Sequence, residues 1–119
     1  MQNNVLQFPN AGESKLYGYG GKMIDFIIQN QLLDVEKWTT FVQQFRSRLN
    51  SENAGWRGEY WGKMMRGASL TYRATKNEKL YSVLVDTIHD LLSTQDEFGR
   101  IAAYSVETEF SGWDMWERK

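Results

Sequence analysis

Apolar positions along this chain fall into four runs of helical period, separated by polar segments rich in turn-forming residues. Residues 1–20 are polar and turn-rich as far as Tyr17-Gly18-Tyr19-Gly20-Gly21, and they are expected to form an irregular arm. From about residue 21 to 33, Met23, Ile24, Phe26, Ile27, Ile28, Leu32 and Leu33 spread around most of a helix, leaving a narrow polar strip at Asp25 and Gln29. A helix with that profile is expected to be enclosed on several sides. A second helix, capped by Asp34 and running to about residue 49, keeps Val35, Trp38, Phe41, Val42, Phe45 and Leu49 on one face. It stops in Asn50-Ser51-Glu52-Asn53-Ala54-Gly55, a loop by composition. A third helix, about 59–73, places Trp61, Met64, Met65, Ala68 and Tyr72 on one face and Leu70 on the other, and again reads as enclosed. Gly62 and Gly67 lie in its interior, each costing about 1 kcal/mol relative to Ala, so a neighbour is expected to pack against its backbone. The fourth helix opens at Thr75-Lys76-Asn77-Glu78, a capping-box pattern, and carries Leu80, Val83, Leu84, Ile88, Leu91 and Leu92 as a strict stripe.

Beyond it, residues 101–104 are expected to form a short extended piece with 106–110. Ser111-Gly112-Trp113-Asp114-Met115-Trp116 then opens like a fifth helix that no Gly or Pro closes, the pattern of a truncated element. First and third helices enclosed, second and fourth one-sided: antiparallel helices alternating between inner and outer positions describe a double ring. The expected fold is all-α, part of an (α/α)6 barrel (an α/α toroid) over residues 21–119, with stacked helical hairpins as the rival architecture.

The length of 119 residues by itself fits one domain, so the helix pattern turns that into part of one. With 41% hydrophobic and 24% charged residues the chain is globular, and 14 Lys+Arg against 15 Asp+Glu exclude a polycation that binds nucleic acid non-specifically. Zero Cys and one His exclude disulfides, thiolate nucleophiles and sulfur- or imidazole-built metal sites within this chain, so no cofactor is expected on it. Residues 1–10 carry neither a basic nor an apolar signal region, and no apolar run reaches the ~20 residues that span a bilayer.

Four of the five Trp fall in two similar segments, Gly55-Trp56-Arg57-Gly58-Glu59-Tyr60-Trp61 and Gly112-Trp113-Asp114-Met115-Trp116-Glu117-Arg118. Each opens an inner-type helix, and in a double ring such openings share one end, which makes the two segments neighbours. Aromatic faces with Arg, Glu and Asp suit a sugar, the rings stacking on C–H surfaces and the charges bonding hydroxyls; the same Trp residues also serve as wedges between helix layers. Glu59, Asp114 and Glu117 are of the type that pairs for glycoside hydrolysis, and equally of the type that caps or ion-pairs at helix starts. Trp61 and the Met64-Met65 pair have core spacing, His89 lies opposite the stripe of its helix, and Arg46, Arg48, Arg66 and Arg73 read as solvated. Tyr17-Gly18-Tyr19-Gly20-Gly21 lacks the Gly-Lys-Ser/Thr of a phosphate loop and follows no strand.

Five blocks in order, Gly18-Tyr19-Gly20-Gly21-Lys22-Met23-Ile24-Asp25 through Phe45-Arg46-Ser47-Arg48, Glu59-Tyr60-Trp61-Gly62-Lys63 with Leu70-Thr71-Tyr72-Arg73, Leu91-Leu92-Ser93-Thr94-Gln95 with Gly99, and Trp113-Asp114-Met115-Trp116 with Arg118-Lys119, resemble the β-L-arabinofuranosidase-like glycoside hydrolases, family 127 and its relatives. The resemblance covers nearly all of the chain from about Gly18. It implies the N-terminal portion of an (α/α)6 barrel several hundred residues long, a glycoside or oligosaccharide as substrate, and neither nucleic acid nor membrane as partner. It also implies, in later parts of the barrel, a Cys nucleophile held by a zinc site of Cys and Glu, with a Glu as acid/base. This sequence has no Cys to carry that set. The matching positions are inner-helix openings, so Trp56, Arg57, Glu59, Trp113, Asp114 and Arg118 are expected near the sugar cleft, none with a catalytic step. A stand-alone helical module binding a glycan or protein is the alternative expectation.

Overall fold

The computed structural model describes residues 10, 12–48, 56–112 and 114. Among them the chain forms four α-helices and no strand: α1 Gly18–Ile27, α2 Val35–Ser47, α3 Glu59–Thr75 and α4 Glu78–Leu92. A π-helical turn, Ile28–Leu32, prolongs α1, and a 3-10 turn covers Val106–Thr108. The chain is all-α, and no helix among the described residues is long and apolar enough to cross a membrane.

The boundaries follow from local bonding. Asp34 caps α2 by accepting the Lys37 N–H at 3.4 Å, and its carboxylate also holds the Lys37 ammonium. α2 ends where Arg48 turns left-handed (φ 39) and donates its N–H to the Gln44 carbonyl. The α4 cap is Asn77, whose side chain accepts the Leu80 N–H at 3.0 Å. Thr75, the capping residue expected from sequence, is instead the last residue of α3, and Lys76 closes that helix with φ 55. α1 starts at Gly18, ahead of the expected residue 21. Gly21 allows this: a Cβ there would stand 2.6 Å from the Leu16 carbonyl oxygen, so only glycine lets the arm pass so close.

α2, α3 and α4 form a bundle whose directions can be read from side-chain pairs. Trp61 donates its indole N–H to the Thr87 hydroxyl at 3.0 Å, and Tyr72 meets Tyr81 with ring centroids 5.2 Å apart, so α3 and α4 run antiparallel. Phe41 stacks on Tyr60, centroids 6.2 Å apart, placing the start of α3 beside the later half of α2. Arg46 reaches Asp90 and Ser93, so α2 and α4 run parallel with their ends together. Ile28, Leu32, Trp38, Ala68, Leu80 and Leu84 form the buried core. α1 is not packed along α2; its beginning shares a cleft with Ala74, Thr75 and Lys76, and its π-helical end reaches Trp38, whose indole N–H donates to the Leu32 carbonyl. α1 and α3 therefore start at opposite ends of the bundle, where a double ring would start both at one end.

Enclosure also differs from expectation. Among the described residues α1 buries no side chain and α3 only Ala68, whereas α2 buries Trp38, Val42 and Phe45, and α4 buries Leu80, Leu84 and Thr87. The inward face of α3 is the expected one, with Trp61, Met64, Met65 and Tyr72 against the core. Its other side, with Leu70 58% exposed, and the Met23 and Phe26 side of α1 have no cover within the described chain. Gly62 and Gly67 agree with this: a Cβ at either position would meet nothing within 4 Å, so no neighbour among the described residues needs the bare backbone. The expected extended pair is absent as well. Thr108 and Glu109 donate their N–H groups to the carbonyls of Ser105 and Val106, and the Arg100 guanidinium takes the carbonyls of Tyr104 and Ser105, which removes the partners a hairpin would use.

Gly62→Ala and Gly67→Ala are each expected to raise the stability of this chain by about 0.4–1 kcal/mol, since each narrows the unfolded ensemble without a clash. Urea unfolding followed by circular dichroism measures this; a drop in stability would mean that a neighbour within the chain occupies that face.

Candidate functional site

Of the two segments singled out in the sequence, Arg57 and Asp114 are both bound to the stretch 100–110 that follows α4, and arginines tie that stretch to the end of the bundle where α2 and α4 end and α3 begins. Arg57, in the turn before α3, is half-buried and donates from Nε to the Ala103 carbonyl (3.3 Å) and from Nη2 to the Gln44 carbonyl (3.2 Å) and the Ser47 hydroxyl (2.6 Å). Its backbone N–H points to the Tyr104 hydroxyl at 3.3 Å. The guanidinium thus caps the Gln44 carbonyl near the end of α2 and anchors the loop, leaving little of it for a ligand. Arg48 acts in the same way, on the carbonyls of Phe45 and Thr94 and on the Asp96 carboxylate at 3.2 Å. Arg46 pairs with Asp90 at 2.5 Å. Arg46 and Arg48 are therefore fastened, where the sequence implied solvated side chains; His89 is exposed as expected.

Asp114 is 1% exposed. One oxygen accepts the Phe110 N–H at 2.7 Å, and the other lies 3.9 Å from Nη2 of Arg100, whose side chain is almost as buried. Arg100 also faces Glu109 at 3.3 Å through Nε and donates to the Tyr104 and Ser105 carbonyls at 2.8 and 3.1 Å. Arg100 thus joins two carboxylates and two carbonyls in a buried knot. Sequence reasoning missed it; the signal was there in a lone arginine set directly before the apolar run 101–104, where a charge needs partners.

Trp56 and Glu59 occupy the outer edge. Trp56 has a left-handed backbone, φ 69, rare for a bulky residue and of the kind that clusters at functional positions. Its ring is 44% exposed, with the Lys63 ammonium 5.2 Å from the centroid. Lys63 also pairs with one Glu59 oxygen at 2.7 Å, while the buried second oxygen finds no hydrogen-bond partner among the described residues. Trp56, Lys63 and Glu59 thus make an aromatic face with a cation and a carboxylate beside it. Trp113 and Arg118, also expected here, lie outside the described residues, as does most of the expected fifth helix.

Asp96 organises the loop. It accepts the N–H groups of Arg100 (2.8 Å) and Phe98 (3.1 Å) and faces the Arg48 guanidinium. The Arg100 N–H first, then that of Phe98 and the charges of Arg48 and Arg100, hold its carboxyl below the ordinary range against the opposing effect of burial.

Compared with known proteins, the chain matches no family model, no curated protein and no solved structure. The zinc that the family resemblance implies finds no fit on these residues. The sequence has no Cys, and no three His, Asp or Glu side chains converge among the described residues.

Arg100→Ala is expected to destabilise the chain by about 3–5 kcal/mol, because it takes the guanidinium from beside the buried Asp114 carboxylate and that of Glu109, and frees two carbonyls. Thermal and urea unfolding read this; a change below about 1 kcal/mol would mean the knot is solvated. Because the Asp96 carboxyl is held lower in the folded state than in the unfolded one, its contribution is present above the unfolded value and disappears as pH falls through the folded one. Asp96→Asn should therefore flatten the acid side of the stability profile, seen as the urea midpoint against pH. A mutant curve parallel to wild type below neutral pH would contradict it.

Proposed function

We propose that this chain is the N-terminal helical segment of a carbohydrate-active glycoside hydrolase similar to the β-L-arabinofuranosidases, part of an (α/α)6 barrel. It supplies a sugar-contacting edge and none of the catalytic groups. The observation that carries the reading is the exposed Trp56 ring, held in a left-handed backbone beside Lys63 and Glu59 at the end of the bundle where the Asp114 segment docks. A flat aromatic face takes the C–H side of a sugar, and an adjacent ammonium and carboxylate bond its hydroxyls. Arg57 and Asp114 have a different part: fastened to the α2 end and to Arg100, they set the position of that edge. The uncovered sides of α1 and α3 support the barrel reading, since further helices would lie there, whereas α1, which starts at the opposite end from α3, does not take the inner-helix direction of such a ring.

The same uncovered sides also favour a second reading, a stand-alone helical module that binds a glycan or a protein without catalysis. Titration of the chain with arabinofuranosyl oligosaccharides should quench Trp fluorescence, and Trp56→Ala should weaken binding severalfold without lowering stability. An isotherm unchanged in Trp56→Ala would overturn the sugar-edge reading, and hydrolysis of a nitrophenyl arabinofuranoside by this chain alone would overturn the non-catalytic one. A reading frame that stops directly after Lys119 would leave only the second reading.

A further inference from the structure

At the far end of α3 lies a second cleft, of about 530 Å³, between the arm and the corner where α3 gives way to α4. Its volume falls within the range of small-ligand sites. α3 has 17 residues, so its two ends, and with them this cleft and the Trp56 edge, stand about 25 Å apart at 1.5 Å per residue. The two places are separate, and the chemistry of the cleft is independent of any role of the Trp56 edge.

Ser14, Lys15 and Tyr17 of the arm, Asp25 of α1, and Thr75 and Lys76 at the corner supply the chemistry of the walls. Both walls are held in place by close packing. Gly21 admits the Leu16 carbonyl where a Cβ would stand 2.6 Å from it, and at Gly12 a Cβ would be 3.3 Å from Cγ of Lys76, so the arm rests on that side chain. Lys76 also sits over the Tyr72 ring, 5.3 Å from its centroid. Neither Lys15 nor Lys76 is ion-paired among the described residues, in contrast to Lys37, Lys63, Arg46, Arg48 and Arg100. Two ammonium groups against the single carboxylate of Asp25 leave the lining positive, and the first turn of α1, which carries no acidic residue, adds the positive end of its dipole.

We propose that this cleft binds a small hydroxylated organic anion, a carboxylate or a phosphate ester. Lys15 and Lys76 meet the anionic group, Asp25 and Ser14 bond the hydroxyls, and the Tyr17 ring covers the apolar side of the ligand. The cations fix the charge of the ligand, and Asp25 disfavours polyanions, since a second negative group would face its carboxylate.

Amide NMR of the 119-residue chain, titrated in parallel with glucuronate, glucose 6-phosphate and neutral glucose, tests this. Glucuronate, glucose 6-phosphate or both should shift residues 14–17 and 74–76 at millimolar concentration, the two arms separating carboxylate from phosphate, while glucose should not. Lys15→Gln and Lys76→Asn, the latter chosen because Asn tolerates the left-handed backbone, should each weaken binding about fivefold, the effect of one unit charge at about 4 Å in water. Arg66→Gln, on the exposed side of α3, should leave it unchanged. Equal shifts with glucose, shifts centred elsewhere, or none up to about 10 mM would overturn the proposal, and the wild-type map decides even if a variant fails to fold.

Discussion

The indole of Trp38, 1% exposed and with its N–H on the Leu32 carbonyl at 2.9 Å, is the largest fully buried side chain among the described residues and the joint between α1 and the bundle. The end of a helix leaves carbonyls without partners, and the π-helical turn ends on one of them. Trp38 satisfies it while its rings fill the space among Ile28, Leu80 and Leu84. Burying such a side chain contributes about 1.5–3 kcal/mol and the hydrogen bond about 1 kcal/mol more. Because the bond ties the last turn of α1 to the first turns of α2, α1 must leave from the start of α2. Its other end then reaches the α3–α4 corner, where the arm closes over the second cleft. The position of that cleft is thus a consequence of Trp38.

At the other end the glue is of a different kind. Ala102, Ala103 and Tyr104 are buried, but two of the three have small side chains, so the loop after α4 contributes little apolar area of its own. Guanidinium groups do the holding: Arg48, Arg57 and Arg100 together take carbonyls from Phe45, Thr94, Gln44, Ala103, Tyr104 and Ser105. Five donors in a rigid fork let one arginine satisfy several carbonyls that no helix or strand satisfies. A cation used in this way is no longer available to a ligand. Among the described residues at this end, Trp56 and Lys63 keep exposed chemistry outside the arginine web, with Glu59 beneath them.

The sequence carried the helices and the core face of α3 well, because Trp61, Met64, Met65, Ala68 and Tyr72 follow a period that tertiary context did not override; of the α4 stripe, Leu80, Val83 and Leu84 meet the core, while Ile88 and Leu92 stay exposed. It likened two Trp segments, of which Arg57 and Asp114 are both bound to residues 100–110. It did less well with anything decided across the chain. Thr75 and Asn77 are both competent caps, and only the length to which α3 propagates selects Asn77. Residues 101–104 have the composition of a strand, yet their fate depends on Arg57 and Arg100, which take the carbonyls first. The fastening of Arg48 and Arg57 was hidden for the same reason, since their partners lie more than forty residues away in Thr94, Asp96 and Ala103. Apolar residues all around α1 say that a helix has something to cover on every side, but not whether the cover lies within the described chain.

The outward side of α3 is where stability and use point in different directions. Gly62 and Gly67 each cost the helix about 1 kcal/mol relative to Ala, and no contact among the described residues offsets either. Leu70, which falls between the two glycines in angle around the helix, keeps 58% of its surface in water. A helix shaped only for this bundle would carry alanine at both glycines and a polar residue at Leu70. Bare backbone flanking one apolar side chain is instead a surface that another helix can approach closely, with Leu70 as the knob. Such a surface suits both readings of the chain, as a barrel segment and as a binding module, because each places a partner on α3. They differ in what that partner is: further helices of the same protein, or a separate molecule.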